Sequence, residues 1–291
     1  VDKPVHKALG KYSSINNALE NPLISIITPT FNCKSKLERT VQSVLSQSYT
    51  NFEFLLIDGK SQDGTQEWLA EISDPRVKYI SEADDGVYDA MNKGIRHVQG
   101  KYLYFLGAGD ELLPDALLEI SNYLNKEIFS IIYGNVLWGN GEIYDGEYFK
   151  LKLCLRNICH QAIFYKRNVF EILGVFDLKY KLYADWVLNI RCFGNSDLKT
   201  CYAPITVAMY EAGGISEEGD PNFQLDKKFL IKQNFGEEIF RIFEEIDNTI
   251  KDKDKISSDY NNISNKIKSI KWSLYNLFEN LLVRLMRKIR H

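Results

Sequence analysis

Leu23 to Thr65 read LISIITPTFNCKSKLERTVQSVLSQSYTNFEFLLIDGKSQDGT, and this stretch decides the fold. LISIIT is a short, β-branched apolar run, and FEFLLI (52–57) is a second. Between them Leu37, Val41, Val44 and Leu45 recur at helical spacing. Ser35 to Glu38 reads as a capping box opening that helix. Runs of about six apolar residues separated by one amphipathic helix are the mark of strands buried on both faces.

The same alternation continues outward. Asp63-Gly-Thr opens a helix carrying Trp68, Leu69 and Ile72, and RVKYI (76–80) is a third strand. A third helix puts Val87, Met91, Gly94, Ile95 and Val98 on one face, with Asp89, Asn92, Lys93 and Arg96 away from it. KYLYFL (101–106) is a fourth strand. Strand and helix in strict alternation predict right-handed βαβ units and a Rossmann-like α/β fold: a mostly parallel central sheet flanked by helices. Ligands of such sheets bind beyond the carboxyl ends of the strands. The residues to weigh are therefore Thr28–Asn32, Asp58–Asp63, Ser81–Asp85 and Gly107–Asp110.

The second half is more mixed. A helix over 114–124 precedes FSIIYGNVLW, a strand that ends in a Gly-Asn-Gly hairpin turn, and HQAIFY (160–165) reads as another strand. Gly174-Val-Phe-Asp177 leads to ADWVLNIRCF, a helix with Asp185 in its first turn. After TVAMY, Gly213-Gly214-Ile215-Ser216 reads as a flexible loop, followed by a charged helix. The expected organisation is an arm over 1–21 and a catalytic domain over 22–250, divided near 112/113. A hydrophilic linker over 251–262 and a helical extension over 263–291 follow.

Composition narrows the function classes. The chain has 291 residues, 45% hydrophobic and 26% charged, with a formal net charge of -3. No basic field points to nucleic acid. Five cysteines, an odd number without framework spacing, suit reduced thiols in the cytoplasm. Cys154, Cys159 and His160 lack a fourth partner nearby and read better as buried thiols than as a metal site. No apolar run reaches the ~18 residues of a membrane span, so the chain is not expected to cross a bilayer by itself.

Residues 263–291 place Ile267, Ile270, Leu274, Leu277, Leu281, Leu285 and Ile289 on one stripe, among seven Lys and Arg and the lone acid Glu279. With Trp272 this is a basic amphipathic helix suited to an anionic membrane surface. The same face would equally pack on its own domain or build a homo-oligomer.

The acidic clusters at the strand ends carry the chemistry. A lone Asp there is normally a cap or turn residue. Four clusters on one sheet edge repel one another unless a cation or a donor-rich ligand neutralises them. A hard divalent ion, Mg²⁺ or Mn²⁺, holding a diphosphate fits, because it takes oxygen ligands and needs only one or two protein carboxylates.

Five segments in this order, PLISIITPTFN, IDGKSQDGT, EADDGVYDAMNKGI, GKYLYFLGAGDEL and YADWVLNIR, resemble family 2 of the inverting GT-A-fold glycosyltransferases, over about residues 22–216. Bacterial enzymes of surface-polysaccharide synthesis are the nearest in pattern. The resemblance implies a nucleotide-sugar donor, most simply a UDP-sugar, and a glycan or lipid-linked oligosaccharide acceptor at the inner face of the cell membrane. It places Thr28, Pro29, Thr30 and Asn32 around the base and ribose, and Asp58 on the uracil edge. Asp85 falls near the base or sugar, and Asn92 and Lys93 near the sugar or phosphates. Gly107, Ala108, Gly109 and Asp110 occupy the place of the metal-binding Asp-x-Asp. Glycine stands at 107 and 109 where family members often carry Asp, so Asp110 is the remaining metal ligand. Asp185 matches the catalytic base, His160 and Gln161 the acceptor or phosphate contacts, and Gly213, Gly214 and Ser216 the loop that closes over the donor. A sugar-phosphate nucleotidyltransferase would want a Gly-rich basic loop after the first strand, and TPTFNCKSK has no glycine. The thinned motif leaves one alternative: a non-catalytic nucleotide-sugar binder or scaffold recruited to the membrane by its last helix.

Overall fold

The computed structural model describes residues 22–144, 146–211 and 219–258. The arm over 1–21, the Gly213–Ser216 loop and the basic stretch 263–291 lie outside the described residues. The chain divides into two compact units, residues 1–240 and 241–291.

In the first unit, β1 (Ile24–Thr30), β2 (Phe52–Asp58), β3 (Val77–Ser81) and β4 (Tyr102–Phe105) run parallel in the order β3-β2-β1-β4. Every residue of β1 and β2 is buried, as expected for strands covered on both faces. The helices between them are α1 (Lys34–Leu45), α2 (Thr65–Glu71) and α3 (Val87–His97). Helix α3 lies so close to β1 that a Cβ on Gly94 would stand 2.5 Å from Ile27 Cγ2. Helix α1 begins at Lys34 with Cys33 as its cap residue, so Ser35 is already inside the helix and the capping box does not form. The Lys34 N–H is met instead by Asp63 Oδ2 at 3.0 Å.

Register aligns the functional ends. Thr30 pairs with Asp58 and Asp58 with Ser81, while Ile27 pairs with Phe105. The loops after β1, β2 and β3 therefore leave the sheet at one level, with Gly107 just beyond β4.

The remaining strands are β5 (Glu111–Leu112), β6 (Ile131–Trp138), β7 (Ile143–Tyr144), β8 (Ile163–Lys166) and β9 (Thr200–Tyr210). They extend the sheet in the order β4-β8-β6-β9-β5, with β7 completing a hairpin on β6. Here orientations are mixed: β8 is antiparallel to β4 and β6, whereas β9 is parallel to β6. The HQAIFY run is divided, since His160–Ala162 form a 3₁₀ turn and only Ile163 onward is strand. That turn lifts His160 and Gln161 out of the ladder. Helices α4 (Ala116–Leu124), α5 (Lys150–Leu155), α6 (Asn168–Leu173) and α7 (Ala184–Gly194) follow in chain order.

The last helix, α8 (Pro221–Ser258), is interrupted at Gly236, whose φ of 83° lies in the left-handed region. It continues through 251–258, so the first part of the expected linker is helical. Lysine is a good helix former, and Lys251 pairs with Asp247 one turn back at 2.6 Å. Among the described residues no helix is long and apolar enough to cross a membrane.

Candidate active site

The loops after β1 and β2 are tied to each other. Asn32 adopts a left-handed conformation, φ 48°, which asparagine tolerates better than most residues. Its N–H donates to Ser61 Oγ at 2.8 Å, and its Oδ1 accepts the Gln62 N–H at 2.8 Å. Asp58 is fully buried and accepts the Ser61 N–H and, at 2.5 Å, the Ser81 hydroxyl. It presents no exposed atom to an incoming base; it knots three strand ends together. Pro29 and Thr30 are buried with it, and Thr28 Oγ1 is buried without a hydrogen-bond partner.

Asp84, rather than the exposed Asp85, approaches the end of β2. A Cβ on Gly59 would stand 2.6 Å from Asp84 Oδ2 and 3.2 Å from the Phe31 ring. Phe31 is 62% exposed at this edge, an aromatic face beside a carboxylate that the family motif did not single out. The two α3 residues expected at the donor serve the protein itself. Asn92 is buried, donating to the Phe176 carbonyl at 2.8 Å and accepting the Phe176 N–H at 3.0 Å. Lys93 bonds the Ala83 carbonyl and lies 3.3 Å from both Glu82 and Asp89, bracing the loop before α3.

The Gly107–Asp110 loop turns its one carboxylate inward. Gly109 has φ 111°, and its N–H is held by Thr40 Oγ1 at 2.8 Å. Asp110 is 5% exposed, with Oδ2 accepting Gln161 Nε2 at 2.6 Å and Oδ1 accepting the Glu211 N–H at 3.0 Å. A Cβ on Gly107 would lie 2.6 Å from Asp110 Oδ2, so the inward carboxylate fills the space a side chain at 107 would need. Glu211 is in turn held by Lys36 and Arg39 of α1, each at 2.8 Å.

Asp185 sits in the first turn of α7, 5% exposed. Oδ1 accepts the Tyr88 hydroxyl at 2.7 Å and the Trp186 N–H at 2.8 Å; Oδ2 accepts Asn157 Nδ2 at 2.8 Å. His160 Nδ1 is 4.0 Å from Oδ2. The segment before α7 is fixed by Asp220, which accepts the Leu182 N–H at 2.8 Å and caps α8 through the Phe223 N–H at 3.1 Å. The Asp-Pro step before α8 is a sequence signal for that cap. Tyr88 and Asn157 carry no such signal, because their partner lies 97 and 28 residues away along the chain.

The turn His160-Gln161 thus joins the two acids: Gln161 holds Asp110, while His160 stands beside Asp185. Burial pushes both carboxyls above the ordinary carboxylate range, against the pull of His160 and the hydrogen bonds each accepts. No Lys or Arg among the described residues forms an ion pair with either. A buried carboxylate with only neutral donors is one that a cation would settle, so Asp110 fits a divalent ion as a single protein ligand, the other positions going to diphosphate and water. Among the described residues no three His, Cys, Asp or Glu converge into a metal cage. Cys154 and Cys192 are buried, and all five cysteines are free.

Known proteins resemble this chain in sequence and in fold. The family model described as Glycosyl transferase family 2 matches residues 25–182. A "PGL/p-HBAD biosynthesis glycosyltransferase" of Mycobacterium bovis is 40% identical over 218 residues, 72% of this chain and 83% of the relative. The "putative colanic acid biosynthesis glycosyl transferase WcaA" of Escherichia coli is 31% identical, over 51% of this chain and 54% of that protein. Among solved structures, S. aureus TarS 1-349 in complex with UDP-GlcNAc superposes with a TM-score of 0.63 at 15% identity, covering 76% of this chain and 71% of that one. A Pyrobaculum calidifontis mannosyltransferase with GDP-Man and Mn²⁺ gives a TM-score of 0.51 at 16% identity, over 77% and 68% of the two chains. Identities this low establish a shared GT-A fold.

Proposed function

Because this chain belongs to glycosyltransferase family 2, we propose that it moves a hexosyl or N-acetylhexosaminyl group, with inversion, from a UDP-sugar to a hydroxyl of a glycan or lipid-linked acceptor in surface-polysaccharide synthesis. The observation that carries the reading is the pairing of Asp110 and Asp185 through one turn. An acceptor hydroxyl is a weak nucleophile until its proton leaves as the bond forms. Asp185, raised in basicity by burial and free of any ion pair with Lys or Arg, takes that proton. Attack from its side displaces the diphosphate from the opposite face, so no covalent intermediate is needed.

Asp110 is the residue that would hold a divalent ion, Mg²⁺ or Mn²⁺, which when bound would offset charge on the diphosphate. Gln161 keeps the Asp110 carboxylate aligned, and His160 contributes positive potential to both acids. Phe31 offers its exposed face to the base, with Asp84 and Asp85 at the same edge. The amphipathic pattern of 263–291 supports a peripheral position on the inner membrane face, where a lipid-linked acceptor would lie.

Calorimetric titration with UDP, GDP, CMP and dTDP, with and without Mn²⁺, tests the donor class. The expected result is binding of UDP, strengthened about tenfold or more by Mn²⁺ and no longer strengthened in Asp110→Ala. Absence of binding by all four nucleotides would overturn the reading. Flotation with vesicles rich in anionic lipid tests the membrane position: deletion of 263–291 should abolish association, and continued binding would refute it.

A further inference from the structure

The two oxygens of Asp185 are not equivalent. Oδ1 accepts two hydrogen bonds, from the Tyr88 hydroxyl and the Trp186 N–H, which occupy both of its lone pairs. Oδ2 accepts one, from Asn157 Nδ2, and keeps a second lone pair on the side of His160. The Asn157 amide is itself prevented from turning over. Its Oδ1 accepts Asn189 Nδ2 at 2.9 Å, and Asn189 Oδ1 accepts the Tyr165 hydroxyl at 2.7 Å. The Asp185 carboxylate can only accept, which sets Asn157 Nδ2 toward it; Asn189 and the Tyr165 hydroxyl then lock the chain in that sense. The Asn157 carbonyl is pinned as well, by the hydroxyls of Tyr144 at 2.8 Å and Tyr148 at 2.7 Å. Tyr165 and Asn189 are fully buried, which removes water as a competing partner.

We propose that Asn157 is a positioning residue which, oriented by Asn189 and Tyr165, holds Asp185 so that Oδ2 alone is open to receive the acceptor's proton. The inference rests on the reading of Asp185 as the base. In that step the acceptor O–H bond breaks and its proton goes to Oδ2. The acceptor oxygen bonds the anomeric carbon, and the bond to the diphosphate breaks with its electron pair leaving on the diphosphate.

The neutrality of the chain is the reason for its composition. A Lys or Arg at 157 would fix the carboxylate equally well and strip it of basicity. Tyr165, Asn189 and Asn157 fix it with dipoles only. The titratable groups facing Asp185 are the phenols of Tyr88, Tyr165 and Tyr183 and the imidazole of His160. None of them is a permanent cation.

The test uses the full chain labelled with ¹³C at aspartate carboxyls, the Asp185 signal assigned by its loss in Asp185→Asn. Removing a donor to the charged form raises the midpoint of that carboxyl. Asn157→Ala should move it upward by about one pH unit. Tyr165→Phe, which conserves volume, should move it the same way by less. UDP affinity by calorimetry should stay within about twofold in both, while kcat for UDP release, from whichever of UDP-glucose, UDP-galactose and UDP-GlcNAc the parent turns over, should fall ten- to a hundredfold in Asn157→Ala with donor KM unchanged. An unmoved Asp185 midpoint in both variants would overturn the proposal. If instead Asp185→Asn turned over as fast as the parent, the reading of Asp185 as base would fall, separately from the outcome at Asn157.

Discussion

Glu53 near the amino ends of the strands and Asp185 beyond the carboxyl ends are both nearly buried, 7% and 5% exposed, yet burial has opposite consequences for them. Glu53 accepts the Ser25 hydroxyl at 2.7 Å and the main-chain N–H groups of Gln99 and Gly100, and it pairs with Lys78 at 3.3 Å. Burial raises its carboxyl, but these donors and the ammonium outweigh it and hold the group below the ordinary range. Asp185 has a hydroxyl, an amide and one N–H, and its carboxyl stays above that range. The first arrangement closes the crossover between α3 and β4, with three donors converging on Oε1 and the Lys78 ammonium on Oε2. The second has neutral donors and, among the described residues, no Lys or Arg ion pair. In one sheet, the presence or absence of a lysine and of converging main-chain donors separates a carboxylate held below the ordinary range from the proposed base, held above it.

The largest effect that would break this comparison is on turnover. Asp185→Asn should lower kcat by about a thousandfold or more, in the range for loss of a general base, with UDP affinity within about twofold. Glu53→Gln should leave kcat per folded molecule within about threefold. With Asp185 as the proposed base, which must be ionised to take a proton, the parent's rate should fall as pH is lowered, with its acid limb above the ordinary aspartate value of 3.8. Steady-state UDP release across pH measures all three. Equal losses in the two variants would erase the distinction.

Much of this was legible in the amino-acid sequence, and what was hidden has physical reasons. β1 to β4 and their helices follow from local apolar patterning, and Gly94 fell on the correct face because close helix–strand packing excludes a side chain there. Motif order singled out Asp110 and Asp185, and the fold links them through the His160-Gln161 turn. What could not be read came from tertiary contacts. The resemblance put Asn92 near the donor; in the fold the 174–177 segment covers that side and uses both ends of its amide. The resemblance put Asp58 on the uracil edge, and the fold adds that Ser61 and Ser81 engage its carboxylate. His160 was read as strand; the turn that brings it beside Asp185 has no periodic signature. Asn157, Asn189 and Tyr165 are scattered between strands and helices, and only folding makes them a chain.

The smallest expected effect is also the sharpest, because its sign differs at the two ends of the sheet. Glu53 has a folded-state pKa below its unfolded value, so its contribution to stability is present above the unfolded pKa and is lost as pH falls through the folded one. Asp185 has a folded-state pKa above its unfolded value, so its contribution is present at low pH and is lost as pH rises through the folded one. Amide substitution removes each titration while keeping shape. Denaturant unfolding at a series of pH values should therefore show the parent gaining on Glu53→Gln as pH rises through the carboxylate range. Over the window from about 3.8 upward the parent should lose ground to Asp185→Asn. Constant offsets such as a lost hydrogen bond or an altered packing contact cancel from each slope, so the comparison does not depend on either variant's absolute stability. Two slopes of the same sign would mean that neutral donors settle the charge of Asp185 as completely as Lys78 and the main chain settle that of Glu53.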